Sequence, residues 1–247
     1  MFRFILICIE IFFFFIFTIP VFLYMKLISK KNPDKAARIC TVTIRWILKL
    51  ILKTGGVRLH VKGLENIPED PVLYVSNHRG MFDIITGMVC VNREVGFIAK
   101  KELGNIPFFS KYVTNMRCLF LDRQDLKQGL QIILQAIDFV KAGHSMWIFP
   151  EGTRSHTDEM LEFKEGSFKI AERTGCPIVP VAFTGTDDIF ENHFPKVKPG
   201  DVYMSVGKPI MVADLKRNER KFLGRQSREI IQEMIDEQKK ERDGVQA

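Results

Sequence analysis

The chain has 247 residues, 46% apolar and 26% charged, which excludes a disordered or collagen-like polymer and supplies material for a sizeable core. Five scattered cysteines (Cys8, Cys40, Cys90, Cys118, Cys176), with no Cys-x-x-Cys pair, argue against a disulfide framework or zinc finger and fit a reducing compartment. The net charge of +7 is unevenly placed: residues 1–53 hold nine basic and two acidic side chains, so the remainder is neutral. A nucleic-acid binder carries its basic face on the folded domain, so this distribution points to anionic membrane lipids as partners and away from nucleic acid.

Phe4–Met25 is an apolar run with one charge, Glu10, and predicts an N-terminal hydrophobic membrane helix. At ~1.5 Å per residue it would be roughly 33 Å long, close to the ~30 Å hydrocarbon core of a bilayer. Lys26, Lys30 and Lys31 follow it and no Ala-x-Ala site does, which disfavours a cleaved signal peptide. If the segment spans, the same lysines place the rest of the chain on the cytoplasmic side. This predicts a membrane-associated protein on an inner membrane or cytoplasmic leaflet, its folded domain facing the cytoplasm. Glu10 and Pro20 work against an uninterrupted span, so spanning and lying in one leaflet both stay open.

Asp34–Lys53 is amphipathic. Arg38, Arg45, Lys49 and Lys53 form a basic stripe, while Ile39, Val42, Trp46, Leu50, Ile44, Ile47, Leu48 and Ile51 form a broad apolar face. Asn32-Pro33-Asp34 supplies a helix start. The pattern is that of a basic interfacial helix, compatible also with packing on a domain core. The resulting division is residues 1–28 as anchor, 29–53 as interfacial helix and 54–247 as the domain.

From Thr54 onward short apolar runs alternate with helical periodicity. Strands are predicted at Val57–Val61, Val72–Ser76, Val95–Ala99, Cys118–Leu121, Ser145–Phe149, Ile178–Phe183 and Val202–Val206. Helices are predicted at Asp83–Val91, Leu126–Ala142, Gly166–Thr174 and Arg228–Lys240. The alternation implies an α/β fold with a mostly parallel central sheet flanked by helices. No phosphate-binding Gly-x-x-x-x-Gly-Lys loop, Gly-x-Gly-x-x-Gly, Gly-x-Ser-x-Gly or His-Glu-x-x-His occurs. Nucleotide hydrolysis, dinucleotide redox chemistry, serine-hydrolase chemistry and zinc proteolysis therefore lose their usual support.

Ligands bind at the carboxyl ends of strands in open α/β sheets. Asn77-His78-Arg79-Gly80-Met81-Phe82-Asp83 begins at such an end. With His78 in the strand-to-helix turn and Asp83 in the first helical turn, the carboxylate can fix the imidazole tautomer and leave the other nitrogen as a general base. The alternative is a buried hydrogen-bonded histidine beside a helix cap. Phe149-Pro150-Glu151-Gly152-Thr153-Arg154-Ser155 follows another strand and fits a turn with proline second and glycine fourth. Glu151 could accept substrate hydroxyls, and the Arg154 fork suits phosphate oxygens. Asp122-Arg123 closes a third strand. Pro177 and Pro180 bracket a strand expected to be central, which implies an edge, a bulge or a shaped wall.

Together these residues resemble the glycerophospholipid acyltransferase family over roughly residues 70–210. The family shows Asn-His-x4-Asp (here Asn77, His78, Asp83), an Asp-Arg pair (Asp122, Arg123) and Phe-Pro-Glu-Gly-Thr-Arg-Ser (all seven from Phe149 to Ser155). Phe-Lys-x-Gly (Phe163, Lys164, Gly166) and Pro-Ile-Val-Pro-Val (Pro177–Val181) follow. Arg117 departs from the family, which has glycine there, before the Asp-Arg pair.

The resemblance implies transfer of an acyl group from a thioester, on coenzyme A or acyl-carrier protein, to the free hydroxyl of lysophosphatidic acid. His78 and Asp83 would be catalytic; Asn77, Arg123, Glu151, Gly152, Thr153, Arg154 and Pro180 would bind substrate. It implies no metal and no cofactor beyond the donor substrate. Glycerol 3-phosphate or another lysophospholipid as acceptor, or a catalytically silent lipid-binding protein on the same fold, are the competing readings.

Overall fold

The computed structural model describes residues 1–245 apart from His156 and Asp158. The N-terminal third contains α1 (Phe2–Phe17), α2 (Ile19–Ile28), α3 (Pro33–Gly55), β1 (Val57–Lys62), β2 (Leu73–Ser76) and α4 (Met81–Cys90). The middle contains β3 (Val95–Lys100), α5 (Phe109–Asn115), β4 (Leu119–Leu121), α6 (Leu126–Lys141) and β5 (Ser145–Ile148). Then come α7 (Lys169–Thr174), β6 (Ile178–Thr184), α8 (Thr186–Ile189), β7 (Gly200–Val206) and α9 (Leu223–Val245). Each strand lies within two residues of its expected bounds. The short α5 and α8 were not anticipated, having too few turns to show a period.

The strands form one seven-stranded sheet in the order β1-β7-β6-β2-β5-β3-β4. Five of its six pairings are parallel, and only β6 against β7 is antiparallel. The central strands are buried on both faces, as their continuous apolar runs require. On one face Trp147 stacks on Tyr74 (4.8 Å), Phe97 (5.5 Å) and Phe183 (6.0 Å), beneath α1, α3, α4 and α5. On the other, Leu73, Val75, Met146 and Ile148 meet α6, α7 and α9.

The hydrophobic N-terminus is not one helix. It breaks at Thr18, whose hydroxyl donates to Phe14 O at 2.7 Å, and Pro20 sits in the first turn of α2, where its missing N–H costs nothing. The two pieces are bent by 51°, and no single described helix is long and apolar enough to cross a membrane, although the bent pair has the length and composition. Glu10 turns toward the domain, where it accepts from the Thr54 hydroxyl, while Arg3 Nη1 donates to Thr54 O at 2.6 Å. Phe2, Phe12, Phe17 and Leu27 are exposed.

Helix α3 begins with Asn32 accepting from Lys35 N–H at 2.9 Å. It buries Cys40, Ile44, Ile47, Ile51 and Leu52 in the domain core and exposes Val42 and Trp46 beside Arg38, Lys49 and Lys53. The expected basic stripe loses Arg45, whose guanidinium points inward. Its nitrogens donate at 2.9–3.0 Å to the carbonyl of Met88 in the last turn of α4 and to those of Val91 and Arg93 in the loop that follows.

Two sequence oddities have structural explanations. Arg117 adopts φ +60, a left-handed conformation natural to glycine, and its guanidinium pairs with Asp34 of α3 and with Glu94. It precedes β4, while Arg123 follows it, so the two arginines stand at opposite ends of that strand. Pro180 lies within a central strand, against the expectation of a substrate-binding residue: it is buried in β6, in register with Val75 of β2. There Gly207 N–H donates to Pro180 O at 2.9 Å, and the pairing shifts by one residue between Ile178↔Ile210 and Val181↔Val206. A proline without an N–H is tolerated at that bulge.

Candidate active site

Strand β2 ends at Ser76, and the chain turns through Asn77–Gly80 into α4. Asp83 is the third residue of that helix, and its fully buried carboxylate reaches back over the turn. Asp83 Oδ2 accepts from Arg79 N–H (2.7 Å), Gly80 N–H (2.8 Å) and His78 Nδ1 (2.9 Å). One oxygen therefore caps the helix and orients the ring. With Nδ1 committed to Asp83, Nε2 is the nitrogen available on the cleft side, and the ring rests on Phe149 at 4.3 Å between centroids.

The segment after β5 forms a β-turn closed by Gly152 N–H to Phe149 O at 3.0 Å. Gly152 has φ +73, a left-handed conformation that calls for glycine. Glu151 does not line the cleft. It is 4% exposed, with Oε1 accepting from His78 N–H (2.7 Å) and Oε2 from Leu161 N–H (3.0 Å). Burial raises its carboxyl above the usual range, and the two N–H groups oppose that. Its expected contact with substrate hydroxyls is replaced by a bracing role. The same holds for Asn77, whose amide is used by Phe183: Nδ2 donates to its carbonyl at 2.9 Å and Oδ1 accepts its N–H at 2.8 Å.

His78, Arg123, Gly152, Thr153 and Arg154 line one cleft of about 660 Å³ at the carboxyl edge of the sheet. Asp122 folds its own loop, paired with Lys101 at 2.5 Å, which holds its carboxyl below the usual range. Arg123 is thereby left to the cleft, its pKa lowered first by partial burial and then by neighbouring Arg154, so the two guanidinium groups share one anion-attracting mouth. The cleft continues between α6 and α7 over Leu130, Ile133, Leu134 and Ile137. Sequence reasoning missed this apolar wall, because Leu130 and Leu134 read as the core face of a helix yet are exposed. It also missed Lys100 at the end of β3, a position that the strand-end rule could have marked.

A sequence profile of the family described as Acyltransferase matches residues 58–184 of this chain. A 1-acyl-sn-glycerol-3-phosphate acyltransferase of Borreliella burgdorferi is 30% identical over 187 residues, 75% of each chain. A chloroplastic 1-acyl-sn-glycerol-3-phosphate acyltransferase of Brassica napus is 35% identical over 153 residues, 61% of this chain and 44% of that one. The chain thus spans less than half the length of this plant relative. The crystal structure of the 1-acyl-sn-glycerophosphate acyltransferase PlsC from Thermotoga maritima superposes with a TM-score of 0.73 at 26% identity, covering 92% of this chain and 98% of that one. On this profile match across half its length, with the His78–Asp83 pair and the Phe149–Ser155 turn within the matched stretch, the chain belongs to the acyltransferase family.

Proposed function

We propose that the chain transfers a fatty acyl group from an acyl thioester to the free hydroxyl of 1-acyl-sn-glycerol 3-phosphate, giving phosphatidic acid. The observation that carries this reading is the His78–Asp83 pair, with Nδ1 2.9 Å from Oδ2, in a cleft with two arginines at its mouth and an apolar wall beyond. His78 Nε2 takes the proton as the acceptor oxygen attacks the thioester carbonyl carbon. The tetrahedral intermediate then breaks its C–S bond, and the imidazolium returns the proton to the leaving sulfur. Asp83 holds the tautomer and stabilises the imidazolium. Arg123 and Arg154 take the acceptor phosphate, and Gly152 and Thr153 shape the mouth around it. The step needs no group beyond the donor thioester, carried on coenzyme A or acyl-carrier protein.

Attachment to a membrane belongs to the same reading. The exposed apolar side chains of α1 and α2, with Val42, Trp46, Arg38, Lys49 and Lys53 of α3, suit insertion among anionic head groups on the cytoplasmic side. One acyl chain of the acceptor then need not leave the bilayer. Mass spectrometry of products from a mixed pool of thioester donors and glycerophosphate acceptors tests the proposal. Phosphatidic acid is the expected product. Acylation confined to glycerol 3-phosphate, or to lysophospholipids with larger head groups, would replace it, and no transfer at all would leave a silent lipid-binding protein.

A further inference from the structure

Glu191 lies in the 3₁₀ turn Glu191–His193 that follows α8, outside every motif read from the sequence. Its side chain is only 16% exposed, a costly place for a carboxylate unless the charge holds something. Oε1 accepts from the N–H of Met81, the first residue of α4, at 2.7 Å and lies 3.5 Å from Arg154 Nη1. Gly80 makes room for this approach, since a Cβ on residue 80 would collide with the Glu191 carboxylate.

The turn that carries Glu191 is itself fastened. Asn192 Nδ2 donates to Asp187 Oδ2 (3.1 Å) and to Asp188 Oδ1 (2.9 Å), and Arg79 Nη2 donates to Asp187 Oδ2 at 2.6 Å. Phe190 stacks on Phe4 of α1 at 5.6 Å. Arg154, by contrast, stands on a turn with its side chain 43% exposed. A long side chain in such a place loses rotamer freedom when it binds an anion, unless a fixed partner has already ordered it.

We propose that Glu191 is a positioning residue that holds the Arg154 guanidinium for the acceptor phosphate and ties it to the first turn of α4. The inference rests on the acyl-transfer reading above. One guanidinium nitrogen meets Glu191, which leaves the remaining N–H donors of Arg154 to the phosphate. Because the same carboxylate holds Met81 N–H, the arginine keeps its register with the helix that carries Asp83.

The test is steady-state kinetics of the full chain with lysophosphatidic acid and an acyl thioester. It compares wild type, Glu191→Gln, Arg154→Ala and the double variant. Gln keeps an oxygen for Met81 N–H and removes only the charge. Glu191→Gln is expected to raise the acceptor KM about 2–5-fold, the range of a half-exposed ion pair. The donor KM and kcat should change less than about twofold, and in the Arg154→Ala background the same substitution should change nothing. Glu191→Asp, which keeps the charge but withdraws it by one methylene, should show the same split and serves if Glu191→Gln does not fold. An unchanged or lowered acceptor KM, or an equal loss with and without Arg154, overturns the inference. Failure of wild type to acylate lysophosphatidic acid with any donor would instead overturn the acyl-transfer reading.

Discussion

Glu151 Oε1 sits 2.7 Å from the backbone nitrogen of His78, so the turn after β5 and the turn after β2 are joined through one buried carboxylate. The connection is buried and does not line the cleft. Ser155 N–H donates to His78 O at 2.9 Å, so both backbone polar groups of His78 are held by the Phe149–Ser155 segment. The imidazole can therefore be placed to within hydrogen-bond tolerance of Asp83 without help from a bound ligand.

Glu151→Gln is expected to act on stability and kcat, with little effect on acceptor KM. Gln has only one acceptor oxygen, so either His78 N–H or Leu161 N–H is left facing an NH2 group. A buried unsatisfied group of this kind costs ~1–3 kcal/mol. Denaturant titration and acceptor kinetics check this. A large rise in acceptor KM at unchanged stability would return Glu151 to substrate binding.

His78→Ala should lower kcat by ~10²–10⁴-fold while the protein stays folded and bound to vesicles. Circular dichroism and flotation control for folding and attachment. Retention of more than about a tenth of wild-type kcat would exclude His78 as the base.

The basic residues of α3 should separate into two classes. Arg45→Ala removes donors to the carbonyls of Met88, Val91 and Arg93 and should lower stability by ~1–3 kcal/mol, without altering the salt dependence of membrane binding. Lys49→Ala and Lys53→Ala should leave stability unchanged and each weaken binding to anionic vesicles by ~1 kcal/mol at low salt, the difference fading as salt rises. Flotation at two salt concentrations, alongside thermal melts, distinguishes them. Insensitivity of flotation to both lysine substitutions would remove α3 from the membrane contact.

Acid stability should carry a signature of the sheet edge. Arg58 and His60 both contact Asp201, and the Arg58 hydrogen bond is the main cause that holds its carboxyl down at about 2, against 3.8 ordinarily. A depressed carboxyl contributes stability that is complete above pH 3.8 and lost as pH falls toward 2. The groups are solvent-exposed, so the contribution is small and screened by salt. Asp201→Asn should flatten the acid limb of a stability–pH curve, and an unchanged limb would refute the assignment.

Much of this protein is determined by local pattern. Short apolar runs such as Ile178–Thr184 suit strands covered on both faces, and their alternation with amphipathic helical segments points to a mostly parallel sheet. His78 and Asp83 are five residues apart on a turn and a helix start, and that spacing is enough to bring Nδ1 within 2.9 Å of Oδ2. What lies far apart in sequence was settled only by packing. Glu151 and Asn77 have the chemistry of substrate ligands, yet each had its polar atoms claimed by backbone 73 and 106 residues away, because a buried N–H or carbonyl must be paired. Arg45 likewise reads as one of a row of interfacial charges until the last turn of α4 and the loop after it bring carbonyl acceptors to its guanidinium. Glu191 carries no local signal, since its meaning comes from Met81 and Arg154, which reach it only when the sheet has closed. Periodicity reports which face of an element is buried; which polar groups meet there depends on long-range topology, and no sequence window contains that.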